Sequence, residues 1–318
     1  MPKKIIIDTD PGVDDSMAIL FALASSEVEV VGLTTIFGNV DTALATQNAL
    51  RLVEFAGHPE VPVAHGADKP LYVPLEGIAD FVHGVDGLGN THRPAPNGQP
   101  IGKPAAQFIV DMIMANKGEI TLVPVGPLTN LALALALEPR IVEHVAEVVI
   151  MGGAATVNGN VNPAAEANII HDPHAADLVF NAGWPVTMVG LDVTTKTTMT
   201  EEYLASLKAS GSKTGAFIWE ISRFYEDFHY QMLQERAIHT HDPSAIAYVI
   251  DPTLFKTEKG PIRVVTEGIT KGQTLLDRWQ IWYGPTEWSN RPAVNVCVDV
   301  DSPRLLALYK ARILAARP

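Results

Sequence analysis

Ile5-Ile6-Ile7-Asp8-Thr9-Asp10-Pro11-Gly12-Val13-Asp14-Asp15 is the segment from which the fold can be read, and Ser16-Met17-Ala18-Ile19-Leu20-Phe21-Ala22-Leu23 follows it directly. Three consecutive isoleucines bounded by charge predict a buried parallel strand, because β-branched side chains fit a pleated surface covered on both faces. Asp8 to Asp15 then lie at its carboxyl end. Pro11-Gly12 turns the chain, and Met17, Ala18, Leu20, Phe21 and Ala24 recur at helical spacing, which puts Asp14 and Asp15 in the first helical turn. Open parallel sheets bind ligands in the crevice outside the carboxyl ends of their strands. One or two of these acids could cap the helix and favour its positive end. Four in one turn repel each other unless a cation neutralises them, and carboxylates with carbonyl oxygens and no Cys suit calcium or magnesium.

Outward from this segment, apolar strands and helices alternate. Strands are predicted at residues 28–35, 61–64, 120–125, 145–151, 186–191, 262–265 and 294–300. Helices are predicted at 42–56, 105–116 and 130–137, and three more open at Asp172-Pro173, Asp242-Pro243 and Ser302-Pro303, where an N-cap residue precedes Pro at the first helical position. Residues 66–104 carry many Gly and Pro and little periodicity, so they read as a long loop, a length that in a compact domain is usually functional. From about 200 to 240 the character is helical with aromatics, notably Trp219, Phe224, Tyr225, Phe228 and Tyr230. The expectation is one α/β domain over residues 1–318: a doubly wound, mostly parallel sheet with helices on both faces, and a helical, lid-like insertion near the binding crevice.

Composition narrows the partners. A formal charge of -13 with no offsetting Lys/Arg cluster argues against a phosphate backbone and for a small neutral substrate or a cation. The single cysteine, Cys297, excludes an internal disulfide framework and fits a reducing compartment. Lys3-Lys4 leads into a strand and then acids, without the apolar run and cleavage site of a signal peptide, and no stretch approaches a membrane span. A cytoplasmic enzyme that touches neither membrane nor nucleic acid is expected.

Two further clusters carry polar chemistry. Gly159-Asn160-Val161-Asn162-Pro163-Ala164-Ala165-Glu166-Ala167-Asn168 follows the strand ending in Met151; by itself it is equally a solvated loop of turn formers. His239-Thr240-His241-Asp242-Pro243 is by itself a helix start.

Asp8-Thr9-Asp10-Pro11-Gly12-Val13-Asp14-Asp15 resembles, position for position and without a gap, the N-terminal signature of the inosine-uridine-preferring nucleoside hydrolases. The resemblance implies calcium-dependent hydrolysis of the N-glycosidic bond of ribonucleosides to ribose and free base, in purine and pyrimidine salvage, by a homotetramer or homodimer. Calcium would be held by Asp8, Asp10, Asp15 and Asp242 and by the backbone carbonyl of Val125, which lies in a further family-like run from Leu122 to Asn130. Asn160 and Glu166 would hold the 5'-hydroxyl of the ribose; Asn168 and Asp14 would hold the 2' and 3' hydroxyls. Ala167 departs from the family, many members of which carry an aromatic residue there. His83 would stand in the nucleobase pocket; from its place after the second strand Asn39 could reach the ribose or the metal-bound water or only shape the turn, and Tyr225, Tyr230 and Arg236 could form a lid over the base or serve helix packing.

The implied chemistry is that of a glycosyl transfer to water. The sugar becomes oxocarbenium-like, Asp10 takes the proton of a calcium-oriented water as general base, and His241 protonates or polarises the departing base. Discrimination between bases is expected to be broad or pyrimidine-leaning. Two other classes are weighed against this one. A phosphatase of the haloacid dehalogenase type also begins with an apolar strand and Asp-x-Asp, but leaves Asn160, Glu166 and Asn168 without a role. A non-catalytic nucleoside- or sugar-binding protein would keep the pocket without turnover.

Overall fold

The three isoleucines lie at the centre of the sheet. In the computed structural model, which describes residues 1–75, 77–281 and 284–316, strands run in chain order as β1 (Lys3–Thr9), β2 (Val28–Thr35), β3 (Val63–Ala64), β4 (Ile120–Pro124), β5 (Glu147–Met151), β6 (Val186–Val189), β7 (Thr198–Thr200), β8 (Ala237–His239), β9 (Phe255–Val264), β10 (Thr274–Leu276) and β11 (Ala293–Val300). Nine of them form one sheet in the order β10-β9-β11-β6-β5-β4-β1-β2-β3. β1 pairs in parallel with β2 on one side and β4 on the other. Ile5 and Ile7 pack into one apolar cluster and Ile6 into another, so both faces of the strand are covered, as a near-continuous apolar run requires.

The expected mostly parallel sheet is present, with the antiparallel exception at β9, which pairs antiparallel with both β11 and β10. Only its last residues were readable as a strand: Lys256, Thr257, Glu258 and Lys259 are exposed, and a strand without an apolar face has no period to detect. The long loop contains a short helix, Asp80–His83, that brings a histidine to the crevice. The aromatic segment forms two helices, Glu201–Ala209 and Lys213–Leu233, and its two ends are clamped by β7 and β8, an antiparallel pair unforeseen from the sequence. Among the described residues no helix is long and apolar enough to cross a membrane.

The chain leaves β1 toward β2 and β3 on one side and returns to the other side with β4, β5 and β6. The strand order therefore reverses between β1 and β4. That is the switch point at which an open α/β sheet leaves a crevice beyond its carboxyl ends, and Asp8 and Pro124 sit opposite one another there.

Candidate active site

Five buried aspartates converge at the switch point: Asp8, Asp10, Asp14, Asp15 and Asp242. Asp14 and Asp15 come from the first turn of the helix Val13–Leu23, and Asp242 opens the helix Asp242–Ile250 more than two hundred residues later. Carboxylate oxygens of Asp14, Asp15 and Asp242 all lie within 4.8 Å of one another. Asp15 is held by four donors: Thr9 Oγ1 at 2.5 Å, the Asp10 amide at 3.2 Å, the Gly12 amide at 3.0 Å and Asn39 Nδ2 at 2.8 Å. Asp10 accepts from the Asn39 amide at 2.6 Å and lies in a slot between two glycines. A β-carbon on Gly38 would come 2.1 Å from one of its oxygens, and one on Gly126 would come 2.5 Å from the other. Asp8 accepts from Thr34 Oγ1 at 2.5 Å and Asn130 Nδ2 at 2.8 Å.

Three oxygens in this group, Asp8 Oδ2, Asp10 Oδ1 and Asp14 Oδ1, are buried without a hydrogen-bond partner. Orphaned carboxylate oxygens are costly. Burial pushes Asp8 up to about 7 and Asp14 up to about 8, the latter also repelled by Asp15. It raises Asp10, Asp15 and Asp242 in the same direction, and neighbouring carboxylates add to the rise at Asp10 and Asp242. Such a group cannot be fully ionised alone. An all-oxygen set with unpaired, repelling carboxylates fits a hard divalent cation, which would supply the missing charge.

Above the acids opens a cavity of about 700 Å³ whose walls include Asp14, Asn39, His83, Val125, Asn160, Glu166, Asn168, Tyr225, His229, His241 and Asp242. On one wall Asn168 Nδ2 donates to the Val125 carbonyl at 2.9 Å and the Met151 carbonyl at 3.2 Å. Glu166 caps the helix Ala167–His171 and accepts from the amides of Gly153, Asn168 and Ile169. Asn160 Oδ1 accepts from the Ala167 amide at 3.0 Å, which leaves its amide nitrogen for a ligand. On the opposite wall, aromatic rings follow in contact: His83 stacks on Tyr225 (5.1 Å), Tyr225 meets His229 edge-on (4.3 Å), His229 meets His239 (5.6 Å), and His239 meets His241 (5.6 Å). His241 shares a hydrogen bond of 2.8 Å with Thr194 Oγ1.

Residues 5–307 match the model of the family described as inosine-uridine preferring nucleoside hydrolase. The chain belongs to that family. It is 48% identical to "Probable uridine nucleosidase 2" of Arabidopsis thaliana, over 98% of both chains, and 44% identical to the "Inosine-uridine preferring nucleoside hydrolase" of Leishmania major, over 95% of both. A solved plant nucleoside hydrolase superposes with a TM-score of 0.97 at 46% identity over 100% of both chains. A purine-preferring ribonucleoside hydrolase from Gardnerella vaginalis does so at 0.91 and 37% over 99% of both. The chain is accordingly a nucleoside hydrolase, which sets aside the phosphatase and the non-catalytic alternatives. The names of its relatives range from uridine to purine, so family membership leaves the base open.

Within this nucleoside hydrolase, residues expected for the site fall into three places. Asp14, Asn39, His83, Val125, Asn160, Glu166, Asn168, Tyr225, His241 and Asp242 face the cavity. Asp8, Asp10 and Asp15 lie buried beneath it, and of these only Asp15 joins Asp242 in the three-carboxylate group, where Asp14 takes the third place. Tyr230 and Arg236 lie outside the cavity lining: Tyr230 is exposed, and Arg236 lies over its ring and pairs with Asp227 at 3.0 Å. From that helix, Phe228, His229 and Met232 line the cavity beside Tyr225. His229 escaped the sequence reading although it stands four residues after Tyr225, hence on the same helical face.

Proposed function

We propose that this nucleoside hydrolase uses calcium to cleave the N-glycosidic bond of ribonucleosides with broad or pyrimidine-leaning base preference, and that Asp10 is its general base. The observation that carries the proposal is Asp10 Oδ1, buried and unpartnered beside the carboxylate group that suits a cation. Asp14, Asp15 and Asp242 would hold the ion, with Asp8, Asp10 and the Val125 carbonyl next to them. When bound, a hard divalent ion supplies positive charge that allows the carboxylates to ionise together, lowers the pKa of water and binds the ribose diol.

The residues of the chain divide the remaining work. Asp10 receives the proton of the attacking water at Oδ1, and its slot between Gly38 and Gly126 holds that oxygen in place. Asp14 and Asn168 orient the 2' and 3' hydroxyls, and Asn160 and Glu166 bind the 5'-hydroxyl. An oxocarbenium-like sugar then faces a wall of carboxylates that stabilises its charge. His241 is kept neutral by burial first and by the neighbouring histidines second. With Thr194 donating to Nδ1, its Nε2–H donates a hydrogen bond to the departing base, polarising it without full proton transfer. The cytoplasmic location and homo-oligomeric state belong to the same proposal.

The deciding experiment is ribose release from uridine and inosine with and without a chelator. Release that stops on chelation and returns with calcium is the expected result. Release indifferent to chelation overturns the metal assignment, and no release from either nucleoside overturns the substrate class.

A further inference from the structure

The two histidines that flank Tyr225 are tied to the backbone in opposite senses. His83 Nδ1 lies 3.2 Å from the amide nitrogen of Val13, which can only donate, so Nδ1 is the unprotonated nitrogen and Nε2 carries the hydrogen. His229 Nδ1 lies 2.9 Å from the carbonyl oxygen of Tyr225, which can only accept, so here Nδ1 carries the hydrogen and Nε2 is a bare acceptor. Burial lowers the pKa of the His229 ring, which favours the bare Nε2. Both rings line the cavity, and their hydrogen bonds to the protein run through Nδ1, which leaves each Nε2 for a ligand. The cavity wall thus presents a fixed donor and a fixed acceptor on either side of one tyrosine.

An acceptor in a nucleobase pocket recognises a base that offers it a hydrogen. Uracil and hypoxanthine share one such group: a ring N–H next to a carbonyl. Cytosine and adenine have a bare ring nitrogen at the corresponding position. From the opposite tautomers of His83 and His229 we infer that His229 Nε2 reads the ring N–H of the nucleobase, making His229 the residue that favours lactam bases, with the His83 Nε2–H available to an adjacent carbonyl. This deepens the proposed function and rests on it.

The test compares kcat/KM for uridine with 3-methyluridine and inosine with 1-methylinosine, in which a methyl group replaces the ring hydrogen. In the unaltered protein both unmethylated nucleosides are expected to be preferred. His229→Ala removes the acceptor and leaves room for the methyl group, so it should lower the uridine and inosine values by roughly 10- to 100-fold. The methylated values should change by less than about threefold, which collapses the preference. His229→Gln can place Oε1 where Nε2 was and should return most of it. Equal losses on methylated and unmethylated forms, or no loss on uridine, would overturn the inference and leave His229 as packing. If the Ala variant does not fold, a folded Gln variant decides alone: retained preference supports the assignment, and lost preference overturns it. An unaltered protein that releases ribose from no nucleoside brings down the underlying function, an outcome distinct from every variant result.

Discussion

Asn168 Nδ2 and the Val125 carbonyl oxygen are joined by a hydrogen bond of 2.9 Å. The residue expected to hold the ribose diol is thereby tied to the carbonyl expected to face the cation, and a change at one is felt at both. A site built for hydroxyl groups leaves its polar atoms unpaired when a hydroxyl is missing, and can reject such an analogue by about 10⁴-fold. The unaltered enzyme should therefore cleave uridine at least about 10³-fold better, in kcat/KM, than 2'-deoxyuridine. Asn168→Ala should shrink that ratio by slowing uridine more than 2'-deoxyuridine. Comparable rates on the deoxy substrate would remove the diol assignment.

Replacing Asp15 or Asp242 with Ala takes a charge from the three-carboxylate group and, at Asp15, strands the four donors of Thr9, Asp10, Gly12 and Asn39. Calcium content measured by elemental analysis should fall together with activity. Active protein without any bound divalent cation contradicts this outcome.

Asp10→Asn preserves the size of a side chain that has no spare room between Gly38 and Gly126, but it removes the proton acceptor. Turnover should drop by a factor of about 10² or more, within the range attributed to general-base catalysis. Affinity for a ribose-like inhibitor should change far less. Near-normal kcat in the Asp10→Asn variant would take Asp10 out of that role.

The acids also set a pH dependence. A carboxylate whose folded pKa lies above its unfolded value binds more protons in the native state, so stability falls as pH rises toward the folded pKa. Asp8 at about 7 and Asp14 at about 8 act in this sense. The buried histidines act oppositely, His83 lowered to about 3 and His239 to about 4, but their contribution is complete above the ordinary histidine value of 6.5. Between pH 6.5 and 8 the acids alone remain, and chelated protein should melt at progressively lower temperature across that window. Added calcium should flatten the trend. A melting temperature of the chelated protein that rises from pH 6.5 to 8 would contradict the raised values.

Much of this molecule could be read from the chain. β1 and the acids after it were visible because an apolar triplet followed by a Pro-Gly turn and four carboxylates admits few folded arrangements. Asn160, Glu166 and Asn168 were visible through resemblance, but their hydrogen bonds to backbone amides and carbonyls were not, since a backbone partner has no residue code. His229 was hidden in a helix whose aromatics pack on one face, where ligand-facing and core-facing positions share a period. Residues 256–259 of β9 were hidden for the opposite reason: neither of their faces is buried. Of the residues expected to form a lid, Tyr225 lines the cavity, while Arg236 lies over the Tyr230 ring outside the cavity lining.

The antiparallel pair β7 and β8 places Thr200 directly beside Ala237, so the helical excursion between them leaves the scaffold and re-enters it at a single doorway. What lies between is nonetheless keyed into the scaffold: Leu204, Leu207, Phe217, Ile218, Ile221 and Tyr225 share one buried apolar cluster with Val13, Met17 and Phe21 of the helix that carries Asp14 and Asp15. The aromatic wall of the pocket is therefore fastened to the carboxylate floor through buried side chains and not hung from its two ends alone. Exchanging residues 201–236 for the corresponding stretch of a purine-preferring relative is then expected to alter base choice without disturbing the acids only if the graft brings the same core-facing apolar side chains. A lineage that changes its nucleobase meets the same constraint, varying the cavity-facing positions of this segment while the core-facing ones hold the hydrolytic centre in place.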